Sequence, residues 1–212
     1  MRWETAQPDR QLRSQLETEL GISPFLASLL VGRGLDTPEA ASDFLDPKLS
    51  GFSNPLTLPH VKLAAERICQ AIRNREKVVV YGDYDVDGIT SVSLLLAFFR
   101  DLGFSASYML PSRFKDGYGL NPVRVEEIAN EGYQLLITVD CGSASRKEVQ
   151  YLAERNVDVI VTDHHRVQGD IPEALAFINP DGWEDGNEWE VLAGVGVAYL
   201  LVMAVHILLK SD

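Results

Sequence analysis

Asp83, Asp85 and Asp87 stand at alternate positions in the stretch VVVYGDYDVDGITS (78–91), directly behind a run of β-branched residues. Three carboxylates so close together repel one another at neutral pH unless a cation sits among them. Two more such groups follow apolar runs further along: Asp140 in TVDCG, and Asp163, His164 and His165 in VTDHH. Oxygen-rich ligation with one or two imidazoles suits Mn²⁺ or Mg²⁺, whereas structural zinc favours thiolates. Cys141, beside Asp140, offers a single sulfur and reads as a packing residue. Two adjacent hard cations bridged by a carboxylate would generate hydroxide and stabilise both oxygens of an in-line phosphoryl displacement. Phosphoester hydrolysis is the chemistry these residues point to.

Two other readings of the aspartate triplet are weaker. D-x-D-x-D-G opens an EF-hand calcium loop, but the twelfth position from Asp83 is Leu94 where a bidentate Glu belongs. An EF-hand loop also follows a helix, and KVVVY (77–81) reads as a buried strand. Alternatively, acidic residues in a strand-to-helix turn can cap the next helix and favour its positive end. Capping accounts for one Asp more readily than for three in five residues.

The elements that must position these groups alternate. Helical patterns cover 61–73, 89–102, 122–131 and 145–155, with strands at 78–81, 106–110, 135–139 and 157–162 and a short one at 176–178. Strands apolar on both faces, alternating with helices, predict an α/β domain with an open parallel β-sheet flanked by helices. Every carboxylate and histidine named above falls at the carboxyl end of a strand, the edge where such sheets hold their ligands. Residues 1–60 read as a small, mainly helical extension with helices at 11–20 and 24–33 and a connecting loop at 46–60, ahead of a main domain at 61–212.

Composition narrows the class further. The 212 residues are 46% hydrophobic and 24% charged, ordinary values for a globular protein. Two cysteines, Cys69 and Cys141, make no disulfide framework and suit a reducing, cytoplasmic setting. A formal net charge of -12 argues against broad, non-specific polyanion binding, although metal-holding carboxylates contribute to it. The apolar stretch 192–209 (LAGVGVAYLLVMAVHILL) is at the lower limit for a membrane span, but it lacks an aromatic belt and reads as a buried core helix. Its GVGVAY opening resembles a dinucleotide fingerprint only weakly, because Tyr199 occupies the place of the third Gly or Ala.

Taken together, YGDYDVDGITS, TVDCG and VIVTDHH resemble the ordered motifs of the DHH phosphoesterase superfamily, and most of all its bacterial RecJ branch of single-strand-specific exonucleases. LPSRFKDGYGL (110–120), INP and LAGVGVAY continue the likeness, which covers roughly 60–205. The resemblance implies that Asp85, Asp87, Asp140 and His164 are metal ligands, with Asp140 bridging two ions. It makes His165 the group that contacts the scissile phosphate and Asp163 the residue that orients a histidine. Asp83 is a further candidate ligand, because many family members carry a His where this chain has Tyr81. Arg113 and Tyr118, in the glycine-rich loop, are candidates for gripping a phosphate and stacking on a base.

The function implied is a two-metal 5′-to-3′ exonuclease on single-stranded DNA, in repair and recombination. Its expected partners are single-stranded DNA, a single-stranded-DNA-binding protein and a helicase. Other members of the superfamily act on short oligonucleotides or cyclic dinucleotides, or keep the fold as binding modules, and these are the alternatives. The family pattern also has a further Asp and a second domain beyond the LAGVGVA helix, whereas this sequence stops at Asp212. The expectation is therefore of a fragment with weak activity.

Overall fold

Asp9, Ser23 and Thr37 each stand one residue before a helix, and each accepts a hydrogen bond from an amide of that helix's first turn, at 2.7 Å from Gln11, 3.3 Å from Leu26 and 3.2 Å from Ala40. They start α1 (Arg10–Leu20), α2 (Pro24–Val31) and α3 (Pro38–Leu45) in the computed structural model, which describes residues 8–48, 53–112, 117, 119–167, 169–183 and 189–211. These three helices close over Leu16, Ala27, Leu30 and Ala41. They belong to the first of two units, Met1–Ser53, and the second is Asn54–Asp212. Sequence periodicity anticipates α1 and α2. It misses α3, which has only eight residues, although Thr37-Pro38 is a start signal.

In the second unit, α4 (Val61–Asn74) precedes β1 (Val78–Gly82), α5 (Val86–Asp101), β2 (Ser107–Met109), α6 (Pro122–Asn130), β3 (Leu135–Val139), α7 (Arg146–Ala153), β4 (Asp158–Thr162), β5 (Ala176–Ile178) and α8 (Gly194–Ser211). The strands lie in the order β2-β1-β3-β4-β5, and every neighbouring pair is parallel. The fold is α/β, as the alternation predicts.

Period-two alternation sends the side chains of each strand to both faces, so a strand buried on both sides must be apolar throughout. Val78, Val80, Leu135, Ile137, Val139 and Ile160 pack beneath α4, α5 and α8. Val79, Tyr81, Leu136, Val159 and Val161 pack against α6 and α7. Register runs Val78↔Leu135 through Gly82↔Val139, which brings the carboxyl ends of β1 and β3 level.

α8 has 18 residues with a mean hydropathy of 1.8, long and apolar enough to cross a membrane by length and composition. In this fold it packs against α4 and α5, with Val197, Ala198, Leu201, Ala204 and Val205 in the core and His206 exposed. At the far edge of the sheet, Phe177 of β5 donates its amide to Nδ1 of His60 at 3.1 Å. His60 holds a left-handed backbone, φ 60°, just ahead of α4.

Candidate metal centre

β1 has β2 on one side and β3 on the other, so the chain changes direction across the sheet between these strands. Ligands of open α/β sheets bind in the crevice at that switch point, beyond the carboxyl ends of the strands. Asp83 follows β1, Asp140 follows β3 and Asp163 follows β4. Two overlapping groups have ligand atoms within 4.8 Å of one another: Asp83 with Asp85 and Asp140, and Asp140 with His164 and His165. Asp140 is common to both. The crevice beside them is a cavity of about 500 Å³ lined by Asp83, Asp140, Ser143, Asp163 and His165, among others.

Each aspartate of the first motif has a separate environment. Asp83 is 3% exposed, and its Oδ1 accepts from the Tyr84 amide at 2.6 Å. Burial pushes its proton affinity up, with the Asp85 charge adding to that against the Tyr84 bond. Asp85 is the N-cap of α5, accepting from the Gly88 amide at 2.9 Å, a bond that holds its carboxyl below the usual range. Capping of the helix that follows directly therefore holds for Asp85. Gly88 is required here, because a Cβ at that position would lie 2.3 Å from the carbonyl oxygen of Asp83.

Asp87 lies outside both groups. Its two oxygens accept from the Gly194 and Val195 amides, at 2.7 and 2.9 Å, and so cap the start of α8. Oδ2 also stands 3.5 Å from Nε2 of His164.

Asp140 is the most strained and least satisfied residue of the centre. Its φ of 61° is left-handed, a conformation an Asp tolerates at a cost. Only 1% of it is exposed, both carboxylate oxygens are buried, and among the described residues neither accepts a hydrogen bond. Nε2 of His164 lies 3.1 Å from Oδ1. Burial foremost, then the charges of Asp87 and Asp85, push its pKa up to about 8. A buried carboxylate that accepts no hydrogen bond among the described residues and stands among other carboxylates and an imidazole fits a bridging ligand for hard divalent cations.

Beside it, Asp163 accepts from the amides of Ser143, His164 and His165 at 2.9, 2.8 and 3.1 Å, from Nδ1 of His165 at 2.8 Å and from the Ser143 hydroxyl. Burial opposes its charge, but these bonds hold its carboxyl below the usual range. Burial lowers the proton affinity of His165, and the Asp163 bond and charge more than reverse it, leaving its pKa raised. Cys141 is buried, its Sγ 3.9 Å from the Tyr81 carbonyl, and desolvation raises its thiol pKa well above the ordinary value. It is part of the packing.

Tyr81 is engaged by the residues that lead into α6. Its hydroxyl donates to the Gly119 carbonyl at 3.2 Å and accepts from the Asn121 amide at 3.3 Å. Arg113 and Tyr118 lie outside the described residues.

Three contributors to the centre had no assigned role from the sequence. Gly194 opens α8 against Asp140: a Cβ there would be 2.5 Å from Oδ1. Its signal was the glycine pair of LAGVGVA, which the family likeness includes without giving either glycine a role. Ser143 and Asn179 reach Asp163 and His165 from two other strand ends; Asn179 is the Asn of INP in the family likeness, which gave it no role, and Ser143 is a single polar loop residue without a distinguishing pattern.

A parallel sheet in the order β2-β1-β3-β4-β5 with carboxylates and histidines at its switch point defines an open α/β domain with a candidate metal centre. The family profile described as "DHH family, N-terminal domain" matches residues 77–211, and the chain belongs to the DHH family. Among its relatives is the single-stranded-DNA-specific exonuclease RecJ of Bacillus subtilis (strain 168), 42% identical over 205 residues, which are 97% of this chain and 26% of the relative. Among solved structures, RecJ in complex with Mn²⁺ from Thermus thermophilus superposes with a TM-score of 0.80 at 30% identity, over 97% of this chain and 28% of that one. An exonuclease RecJ bound to manganese gives a TM-score of 0.68 at 36% identity, over 74% and 40%. The chain thus spans about a quarter of the length of the Bacillus relative.

Proposed function

We propose that this chain forms the metal-holding domain of a phosphodiesterase that removes nucleotides from the 5′ end of single-stranded DNA, with two Mn²⁺ or Mg²⁺ ions as cofactors. The observation that carries this reading is the Asp140 carboxylate, buried and accepting no hydrogen bond among the described residues, where the two candidate ligand groups overlap. The RecJ relatives support the substrate and the metal, since their names specify single-stranded DNA and manganese. When bound, such cations supply charge neutralisation at phosphoryl oxygens and a nucleophile at neutral pH.

Asp140, Asp85, Asp83 and His164 hold the ions in this reading, and Asp87 adds its charge beside His164 while capping α8. His165 keeps Nδ1 on Asp163, which leaves Nε2 to hold a proton against a phosphate oxygen. Its raised proton affinity suits a donor. Residues 61–212 form the hydrolytic domain and 1–60 an extension to it. The protein acts in the cytoplasm, on strands that a helicase and a single-stranded-DNA-binding protein supply.

Release of label from 5′- and 3′-labelled single strands in Mn²⁺ tests this reading, with duplex DNA, a cyclic dinucleotide and pyrophosphate as comparison substrates. The expected result is mononucleotide release from the 5′ end of single strands, abolished by chelation. His165→Ala should lower kcat by about 10²–10⁴-fold. Turnover of the dinucleotide or pyrophosphate with DNA left intact would replace the reading with another phosphoesterase activity.

A further inference from the structure

Asn179 follows β5 and has no exposed surface. Its Oδ1 accepts from the Asp181 amide at 3.0 Å, capping the 3₁₀ turn Pro180–Gly182. A buried Asn used only as that cap would leave two amide hydrogens unsatisfied. Nδ2 satisfies both on the side of the metal centre, 2.9 Å from Oγ of Ser143 and 2.8 Å from the carbonyl oxygen of His165. The partners fix the orientation of the amide, because a main-chain N–H can only donate and a carbonyl can only accept.

The bonds continue. The Ser143 amide donates to Oδ2 of Asp163 at 2.9 Å, and the Ser143 hydroxyl bonds to the same carboxylate. Oδ1 of Asp163 takes both the amide and Nδ1 of His165, at 3.1 and 2.8 Å. A closed ring of hydrogen bonds thus runs through Asn179, Ser143, Asp163 and His165, drawn from the ends of β5, β3 and β4. Of its four residues Ser143, Asp163 and His165 line the cavity, and Asn179 is buried behind them.

We propose that Asn179 is a positioning residue for His165: it holds the His165 main chain through the carbonyl and, through Ser143, the carboxylate that sets the imidazole tautomer. Groups that orient a working side chain from behind carry measurable effects, since a small misplacement of the reacting atom is costly. The consequence for catalysis rests on the phosphodiesterase reading above, while the consequence for the imidazole does not.

The rival role is the local cap alone, and Asn179→Asp separates the two. The carboxylate keeps an oxygen for the Asp181 amide but has no hydrogens for Ser143 or the His165 carbonyl. In metal-free protein, at a pH where the ring is neutral, the parent should show a His165 imidazole protonated at Nδ1 by ¹⁵N NMR, and N179D a mixture of tautomers. On single-stranded DNA in Mn²⁺, N179D should lose about 10–100-fold in kcat, with KM changed by less than about twofold, the pattern of a lost transition-state interaction.

Ser143→Ala, which leaves the Asn179 cap and the Ser143 amide in place, should move both readouts in the same direction by less. If N179D fails to fold, S143A decides alone. Unchanged tautomer and unchanged kcat, in N179D or in S143A if that variant stands alone, overturn the proposal, even where the melting temperature falls. A parent protein that leaves DNA intact removes the functional reading, and the NMR comparison still decides the role of Asn179.

Discussion

At the scale of single residues, the metal-free centre is a source of instability that is readable as a pH dependence. Asp140 holds its proton in the folded protein to about pH 8, whereas an unfolded chain releases it near pH ~4. Between those values the folded state binds more protons than the unfolded one, so the stability due to this group falls as pH rises. His165, also raised, contributes with the same sign: its stabilisation is complete below about pH 6.5 and is lost as pH rises through its folded value. In EDTA the melting temperature should therefore decline from about pH 5 to about pH 8. Asp140→Asn cannot ionise, and it should flatten that decline while stabilising the metal-free protein at about pH 8 by about 1–3 kcal/mol, the range for relieving an unsatisfied buried group. The same variant should lose most of the rise in melting temperature that Mn²⁺ gives the parent. Thermal melts of both proteins across pH, with and without Mn²⁺, measure this; a variant less stable than the parent at the alkaline end in EDTA would contradict it.

The elements show what the sequence discloses and what it withholds. β1, β3 and β4 are legible because a strand buried on both faces leaves a continuous apolar run, and the acids and histidines behind them are legible because such groups rarely follow such runs without a task. The bond from Asp87 to the start of α8 is not legible. It joins residues 107 and 108 positions apart, and nothing local to either end announces it. The ring that includes His165 is hidden for the same reason. Gly194 records the contact indirectly, since its missing side chain makes room for Asp140. Replacing a helical Gly by Ala ordinarily stabilises by about 0.4–1 kcal/mol where the backbone permits it. Gly194→Ala should do the opposite, costing about 1–3 kcal/mol by overpacking and weakening Mn²⁺ binding at the same time. Calorimetric titration with melts of the same samples checks both; a stabilised variant with unchanged Mn²⁺ affinity would show that α8 has slack against Asp140.

For the molecule as a whole, a net charge of -12 opposes approach of a polyanion, and the centre concentrates part of that charge at the carboxyl edge of the sheet. Association with DNA should therefore depend on divalent cations more than on basic patches. Fluorescence anisotropy with a labelled single strand should show an affinity at least about tenfold higher in Ca²⁺ or Mg²⁺ than in EDTA at equal ionic strength; equal affinities would locate the binding energy elsewhere. The opposite end of the sheet order bears on a different risk. Among the described residues β5 is a three-residue outer strand with a neighbour on one side only, the kind of border from which chains template one another into aggregates. Where a foreign strand would seek the amide of Phe177, the imidazole of His60 already occupies it. A residue with no part in the chemistry thereby serves as a stopper, so that the sheet ends where the chain ends it.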